Sequence, residues 1–199
     1  MAKGSSDVIL RDRLQFDIDA NGNTSLVYGR IDLSDYVSIP QNKGLAIKEI
    51  RFMLRSPTFA NGEWPPVMLD PHVAASFSAF VKIFATTTAY ERVEDVGIAS
   101  PNVLCVMQRS STVYVPDPTV LPEDRVPSLW CTDEWYGTPD LHPEGYDVVT
   151  DLLIGISLNN CDLDALRDST AELDIMVIAE PKKITQKDMT QMLTQAQDL

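Results

Sequence analysis

From Leu14 to Ala179 the chain alternates apolar and polar residues in short runs, and only its last segment recurs with a helical period. About eight runs have the length and two-residue period of β-strands, and none of the intervening stretches has the length of an ordinary helix. The runs are 14–18, 25–33, 45–55, 76–90, 103–108, 111–115, 148–158 and 171–179. Asn21-Gly22-Asn23 between the first two supplies positive φ readily and predicts a hairpin joining them. In the third run Leu45 and Ile47 are in phase, but the apolar set then moves to Ile50, Phe52 and Leu54. One extra residue near Lys48-Glu49 restores the phase, which is the work of a β-bulge. In the fourth run Phe77, Val81, Ile83 and Ala85 oppose Phe80 and Phe84, the pattern of a strand covered on both faces for part of its length.

Two stretches fall outside this rhythm. Residues 56–75 form a proline-marked loop, and residues 116–146 form the longest irregular segment, with Trp130, Trp135, Tyr136 and Tyr146 among six prolines. Disordered segments rarely carry such aromatic clusters, so 116–146 reads as a packed excursion at one end of the fold, either a cap over the core or a contact surface. Asn159 to Ser169 has room for a helical turn around Leu163 and Leu166. After Glu180-Pro181 the period changes: Thr185 is a good N-cap, Asp188 suits the first turn, and Met189, Met192, Leu193 and Ala196 mark one face of a short helix. So short a helix needs a surface to lie on, either its own sheet or a neighbouring subunit.

The expected fold is therefore all-β: an antiparallel eight-stranded sandwich or barrel over residues 1–183, with long end loops, and a C-terminal amphipathic helix over residues 184–199. The 199 residues and their 44% hydrophobic content suit one continuous core. No run of apolar residues reaches the length of a membrane span, and residues 1–6 lack the apolar stretch of a signal peptide, so synthesis in the cytoplasm is expected.

Charge and candidate chemistry narrow the function. The net charge of −13, from 29 acids and 16 bases, has the wrong sign for a polyphosphate partner, and Lys182-Lys183 with Lys187 reads as solvated surface. Cys105, Cys131 and Cys161 have no C-x-x-C spacing, and only His72 and His142 could complete a zinc site with them. A reduced compartment with free thiols is the simplest context. Each histidine stands two residues after an aspartate, at Asp70 and Asp140, with no nucleophile elbow in the chain. Asp17-Ile18-Asp19-Ala20-Asn21-Gly22 comes near a calcium loop but has Tyr28 where that loop needs glutamate. The acid groups Glu91, Glu94, Asp95 and Asp162, Asp164 match no ligand spacing. No catalytic residue, metal or cofactor is assigned, and the protein is not expected to be an enzyme.

The runs 25–33, 45–55, 77–89, 103–115, 148–158 and 171–179, with long end loops and a short tail, resemble the single jelly-roll capsid proteins of small icosahedral viruses. The resemblance is one of pattern over most of the chain, without a signature motif. It implies a self-assembling coat protein, located in the virion, whose partners are further copies of itself and other capsid proteins. Many such proteins that package single-stranded genomes carry a basic N-terminal arm, whereas residues 1–13 offer only Lys3, Arg11 and Arg13 against Asp7 and Asp12. Direct genome binding is accordingly expected to be weak or delegated. Trp130, Trp135, Tyr136, Met189, Met192 and Leu193 are the candidate subunit-interface residues. The alternative is a lectin-like carbohydrate-binding module in which Trp130, Trp135 and Tyr136 line up as a sugar platform. A cupin-like metalloenzyme would need a clustered His/carboxylate site.

Overall fold

Alternation of apolar side chains, together with where each strand finds its partner, builds nine strands and one α-helix among the described residues of a computed structural model. The structure describes residues 7–70, 76–100, 102–115, 119–121, 124, 128–137 and 145–195. The strands are β1 (Val8–Ile18), β2 (Thr24–Ile31), β3 (Lys43–Arg55), β4 (Phe77–Thr86), β5 (Val103–Tyr114), β6 (Ser128–Tyr136), β7 (Tyr146–Val148), β8 (Leu152–Asn159) and β9 (Ser169–Lys183), followed by α1 (Gln186–Gln195). They form two antiparallel sheets, one of four strands in the order β1-β9-β3-β7 and one of five in the order β2-β8-β4-β5-β6. Buried residues of both sheets belong to one hydrophobic cluster, so the core lies between them. Leu173, Ile175 and Val177 of β9 and Ile154 and Ile156 of β8 are among its members, in the phase their alternation predicts.

The all-β class and the C-terminal helix agree with expectation, and several details differ from it. Asn21-Gly22-Asn23 does turn the chain: Gly22 has φ of 72°, and the Gly22 amide donates to the Asp19 carbonyl at 3.0 Å. The turn does not make a hairpin, because β1 pairs with β9 and β2 with β8, in different sheets. The Asn160 amide donates to Asn23 Oδ1 at 2.9 Å and the Cys161 amide to the Gly22 carbonyl at 2.8 Å, drawing the turn toward β8. The runs 103–108 and 111–115, expected as two strands, are joined in the single strand β5, which ends at Tyr114. Its polar segment Gln108–Ser111 is held in register with both β4 and β6. The 148–158 run divides, since Val148 ends β7 in one sheet while β8 begins at Leu152 in the other.

The bulge is present: Ile47 faces Ala179 and Glu49 faces Ile178, which leaves Lys48 as the extra residue. Its ammonium binds Asp7 at 2.8 Å and Glu180 at 2.7 Å. β9 runs on through Pro181 to Lys183. There β3 is its one flanking strand among the described residues, because β1 begins opposite Ala179, and the missing N–H costs no described ladder bond.

β4 is covered on both faces, as its sequence implies. Its outer-face Phe84 is fully buried with Val96, Val103 and Val106, and Tyr28 meets the ring edge-to-face at 5.8 Å. The Tyr28 hydroxyl donates to the Tyr90 carbonyl at 3.1 Å and accepts from the Tyr90 amide at 2.8 Å, pinning the covering segment. Lys82 reaches under the same segment and donates to the Val93 and Val96 carbonyls at 2.9 and 2.6 Å. Burial lowers its pKa.

Residues 159–169 hold the expected helical turn, with the Leu166 and Arg167 amides both donating to the Leu163 carbonyl, at 2.8 and 3.2 Å. The Thr185 cap forms: the Asp188 amide donates to Thr185 Oγ1 at 3.2 Å, and that hydroxyl donates to the Asp188 carboxylate at 2.7 Å. The helix lies on its own chain, with Met189 packed against Val149 and Ile184 and flanked by Met192 and Leu193. Ala196 lies outside the described residues. No helix among the described residues is long and apolar enough to cross a membrane.

Candidate assembly surface

The segment Ser128-Leu129-Trp130-Cys131-Thr132-Asp133-Glu134-Trp135-Tyr136, expected as part of an irregular excursion, is the strand β6. It carries β-branched and aromatic residues but no apolar/polar alternation, and the structure supplies the reason. β6 is the last strand of the five-stranded sheet, and all nine of its residues are exposed. A strand with neither face in the core has no reason to alternate. Its aromatic and β-branched content was the signal available in the sequence.

Polar cross-strand contacts hold β6 in place. Arg109 of β5 grips Asp133 with two hydrogen bonds of 2.6 and 2.7 Å. The bonds to Arg109 lower the Asp133 pKa, and the same pairing raises that of Arg109. Ser110 and Thr132 share a hydroxyl hydrogen bond of 2.6 Å, and Tyr136 donates to Glu134 at 2.7 Å. The register with β5 is unbroken from Val106 opposite Tyr136 to Tyr114 opposite Ser128.

That register assigns the aromatics to faces. Trp135 stands opposite Met107, and Leu129 opposite the buried Val113, so Leu129, Cys131, Asp133 and Trp135 share the core-facing side. Trp135 stacks on Phe52 of the other sheet, with ring centroids 6.0 Å apart and planes 7° from parallel. Trp130 and Tyr136 point to the outer side instead. The three aromatics are therefore brought onto one strand but not onto one face. Trp130 is the most open of them at 65% exposure, against 37% for each of the other two. Leu129, Tyr114 and Phe80, none of them selected from the sequence, add exposed apolar surface on β6, β5 and β4.

The helix candidates lie apart from this strand. Met189 is 2% exposed and taken up by contacts within its own chain, while Met192 and Leu193 are half-buried at its side. The Lys182 ammonium binds Asp147 at 2.6 Å and so does not stand as one of a free basic triplet.

His72 and His142, with Asp140, lie outside the described residues. Among the described residues no group of three or more His, Cys, Asp or Glu side chains is placed to hold a metal ion. The near-match to a calcium loop is a turn: the Asp19 carboxylate accepts from the Asn21 and Asn23 amides, each at 2.8 Å. Asp162 accepts from the Asp70 amide at 3.2 Å, and Asp164 pairs with Arg167. The three cysteines are free thiols, Cys105 and Cys161 buried and Cys131 exposed on β6.

No family model matches the chain, and no curated protein sequence does. Among solved structures, the tailspike protein of Acinetobacter baumannii phage AM24 aligns with 88% of this chain and 28% of its own length, at 12% identity and a TM-score of 0.17. The chain thus spans under a third of that protein, and at this TM-score the alignment carries neither fold nor function across.

Proposed function

We propose that the protein is a structural, self-assembling subunit, a viral capsid (coat) protein of the single jelly-roll kind that builds an icosahedral shell. The observation that carries the reading is β6, a long edge strand exposed on both faces and bearing Trp130, Trp135 and Tyr136. Monomeric proteins normally blunt such edges with short strands, prolines, bulges or charges; β6 has no proline or bulge, and its core-facing charge, Asp133, is paired with Arg109.

Strand order supports the jelly-roll part of the reading. β1 pairs with β9, β2 with β8, β3 with β7 and β4 with β5, a nested series produced by rolling up one long hairpin. Set β6 aside, and the two sheets have the order of an eight-strand double Greek key, with β6 added at the edge beside β5. The acidic chain has little with which to neutralise phosphates, so a genome would be contained by the shell rather than bound directly.

The test is light scattering after size exclusion, with negative-stain microscopy, over a range of protein and salt concentrations. Defined oligomers or closed particles are expected, and their loss in a Trp130→Ser, Trp135→Ser variant that keeps its β-sheet circular dichroism. A strictly monomeric profile at high concentration in every salt would sink the proposal. Glycan binding that disappears on Trp130→Ala would replace it with the carbohydrate-binding alternative.

A further inference from the structure

We infer that β6 is a homodimerisation edge: two copies of the chain pair β6 against β6, antiparallel, about a two-fold axis at Thr132. The inference rests on the self-assembly reading and names the contact. A dyad perpendicular to the sheet keeps core-facing residues beside core-facing ones. Only slips of whole dipeptides are then allowed, because a slip of one residue sets opposite faces against each other.

The sequence of β6 is self-complementary about Thr132. That axis puts Ser128 opposite Tyr136, Leu129 opposite Trp135, Trp130 opposite Glu134, Cys131 opposite Asp133, and Thr132 opposite its own twin. All nine residues pair, neither acid faces an acid, and the Thr–Thr and Leu–Trp pairs are of favourable kinds. Moving the axis to Asp133 or Glu134 sets two carboxylates directly opposite each other, which is destabilising. An axis at Cys131 leaves Trp135 and Tyr136 outside the pairing of β6 with β6.

The strand is also prepared for the contact. Each Asp133, diagonal to its twin across the axis, is already neutralised by Arg109, and the stacking of Trp135 on Phe52 fixes one indole before pairing. Ordering costs that usually oppose association are thereby reduced. Two copies joined this way turn their five-stranded sheets into one continuous sheet and remove both edges.

Directly opposed residues in an antiparallel pair have Cα atoms at a separation a disulfide can span. The test is therefore Thr132→Cys in a Cys131→Ser background under mild oxidation, followed on a non-reducing gel. Ser128→Cys in the same background is the control, since its twin lies at the far end of the contact. The contact predicts at least about tenfold more disulfide-linked dimer from the Thr132→Cys variant than from the control, because a formed interface holds the two thiols at high effective concentration. Ser128→Cys combined with Tyr136→Cys should restore cross-linking.

Equal cross-linking of variant and control overturns the inference. So does the absence of a cross-link in a sample that scatters as a large particle, and that result leaves self-assembly standing. Cross-linked dimers with nothing larger at any salt uphold the β6 contact and overturn the shell reading. A monomer without cross-links overturns both.

Discussion

Burial decides the chemistry of single residues here. The Cys105 and Cys161 thiols are pushed up by burial from the ordinary 9.0 to about 12, whereas Cys131 stands exposed on β6. One thiol per native chain should therefore react with an aromatic disulfide reagent at pH 8, and three after unfolding. A Cys131→Ser variant should leave none in the native state. The same shifts link stability to pH. The folded-state pKa lies above the unfolded one, so the stabilisation is complete below about pH 9 and is lost as pH rises toward 12. The Tyr28 and Tyr146 phenols, also raised by burial, act in the same direction. Midpoints of urea unfolding should fall over that interval, and a flat profile from pH 8 to 12 would refute the linkage. Gly155 is a second decisive residue. It sits beside the buried Phe84 ring, and a Cβ there would overlap the ring. Gly155→Ala should cost roughly 1–3 kcal/mol, seen as a lowered melting temperature.

Among the elements, the bulge in β3 keeps two apolar sets on one face. Leu45 and Ile47 before it and Ile50 and Leu54 after it all enter the core, although the two sets are out of phase along the chain. Deleting Lys48 removes the extra residue and puts Leu45, Ile47, Ile50 and Leu54 in one unbroken alternation, since Ile47 and Glu49 already face the consecutive partners Ala179 and Ile178. The expected outcome is a folded protein that has lost both the bulge and the ion pairs to Asp7 and Glu180, whereas Lys48→Ala loses only the ion pairs, and thermal melting of the two separates the effects. Insoluble or non-cooperatively melting deletion protein would show that the bend of the bulge is itself required. This element was legible in the sequence because the phase of buried residues has no freedom. β6 was not legible as a strand, because it buries neither face and so has no phase to read.

At the scale of the whole molecule, charge opposes the proposed assembly. Each copy carries −13, and bringing copies together concentrates that charge. Added salt shortens the screening length from ~10 Å at 0.1 M to ~3 Å at 1 M. Assembly should consequently grow with sodium chloride over this range, followed by the mass from light scattering at fixed protein concentration. Dissociation on adding salt would mean that ion pairs between copies, rather than the apolar and strand-edge contact, hold them together.

Sequence alone determined what local physics enforces. Alternation placed most strands and their buried faces, the phase change placed the bulge, and Thr185 with Asp188 placed the start of α1. Tertiary structure alone decided which strands meet. Asn21-Gly22-Asn23 specified a turn, but contacts with Asn160 and Cys161 decided that β1 and β2 enter different sheets. The polar stretch around Arg109 suggested a break in β5, yet pairing with Val81 on one side and Asp133 on the other made it continuous. Pairing between distant strands depends on which surfaces remain open once the core closes, and no local window of sequence contains that information. For the same reason Trp130, Trp135 and Tyr136 were identifiable as residues of interest. Only the fold revealed that they lie on one exposed edge, divided between its two faces.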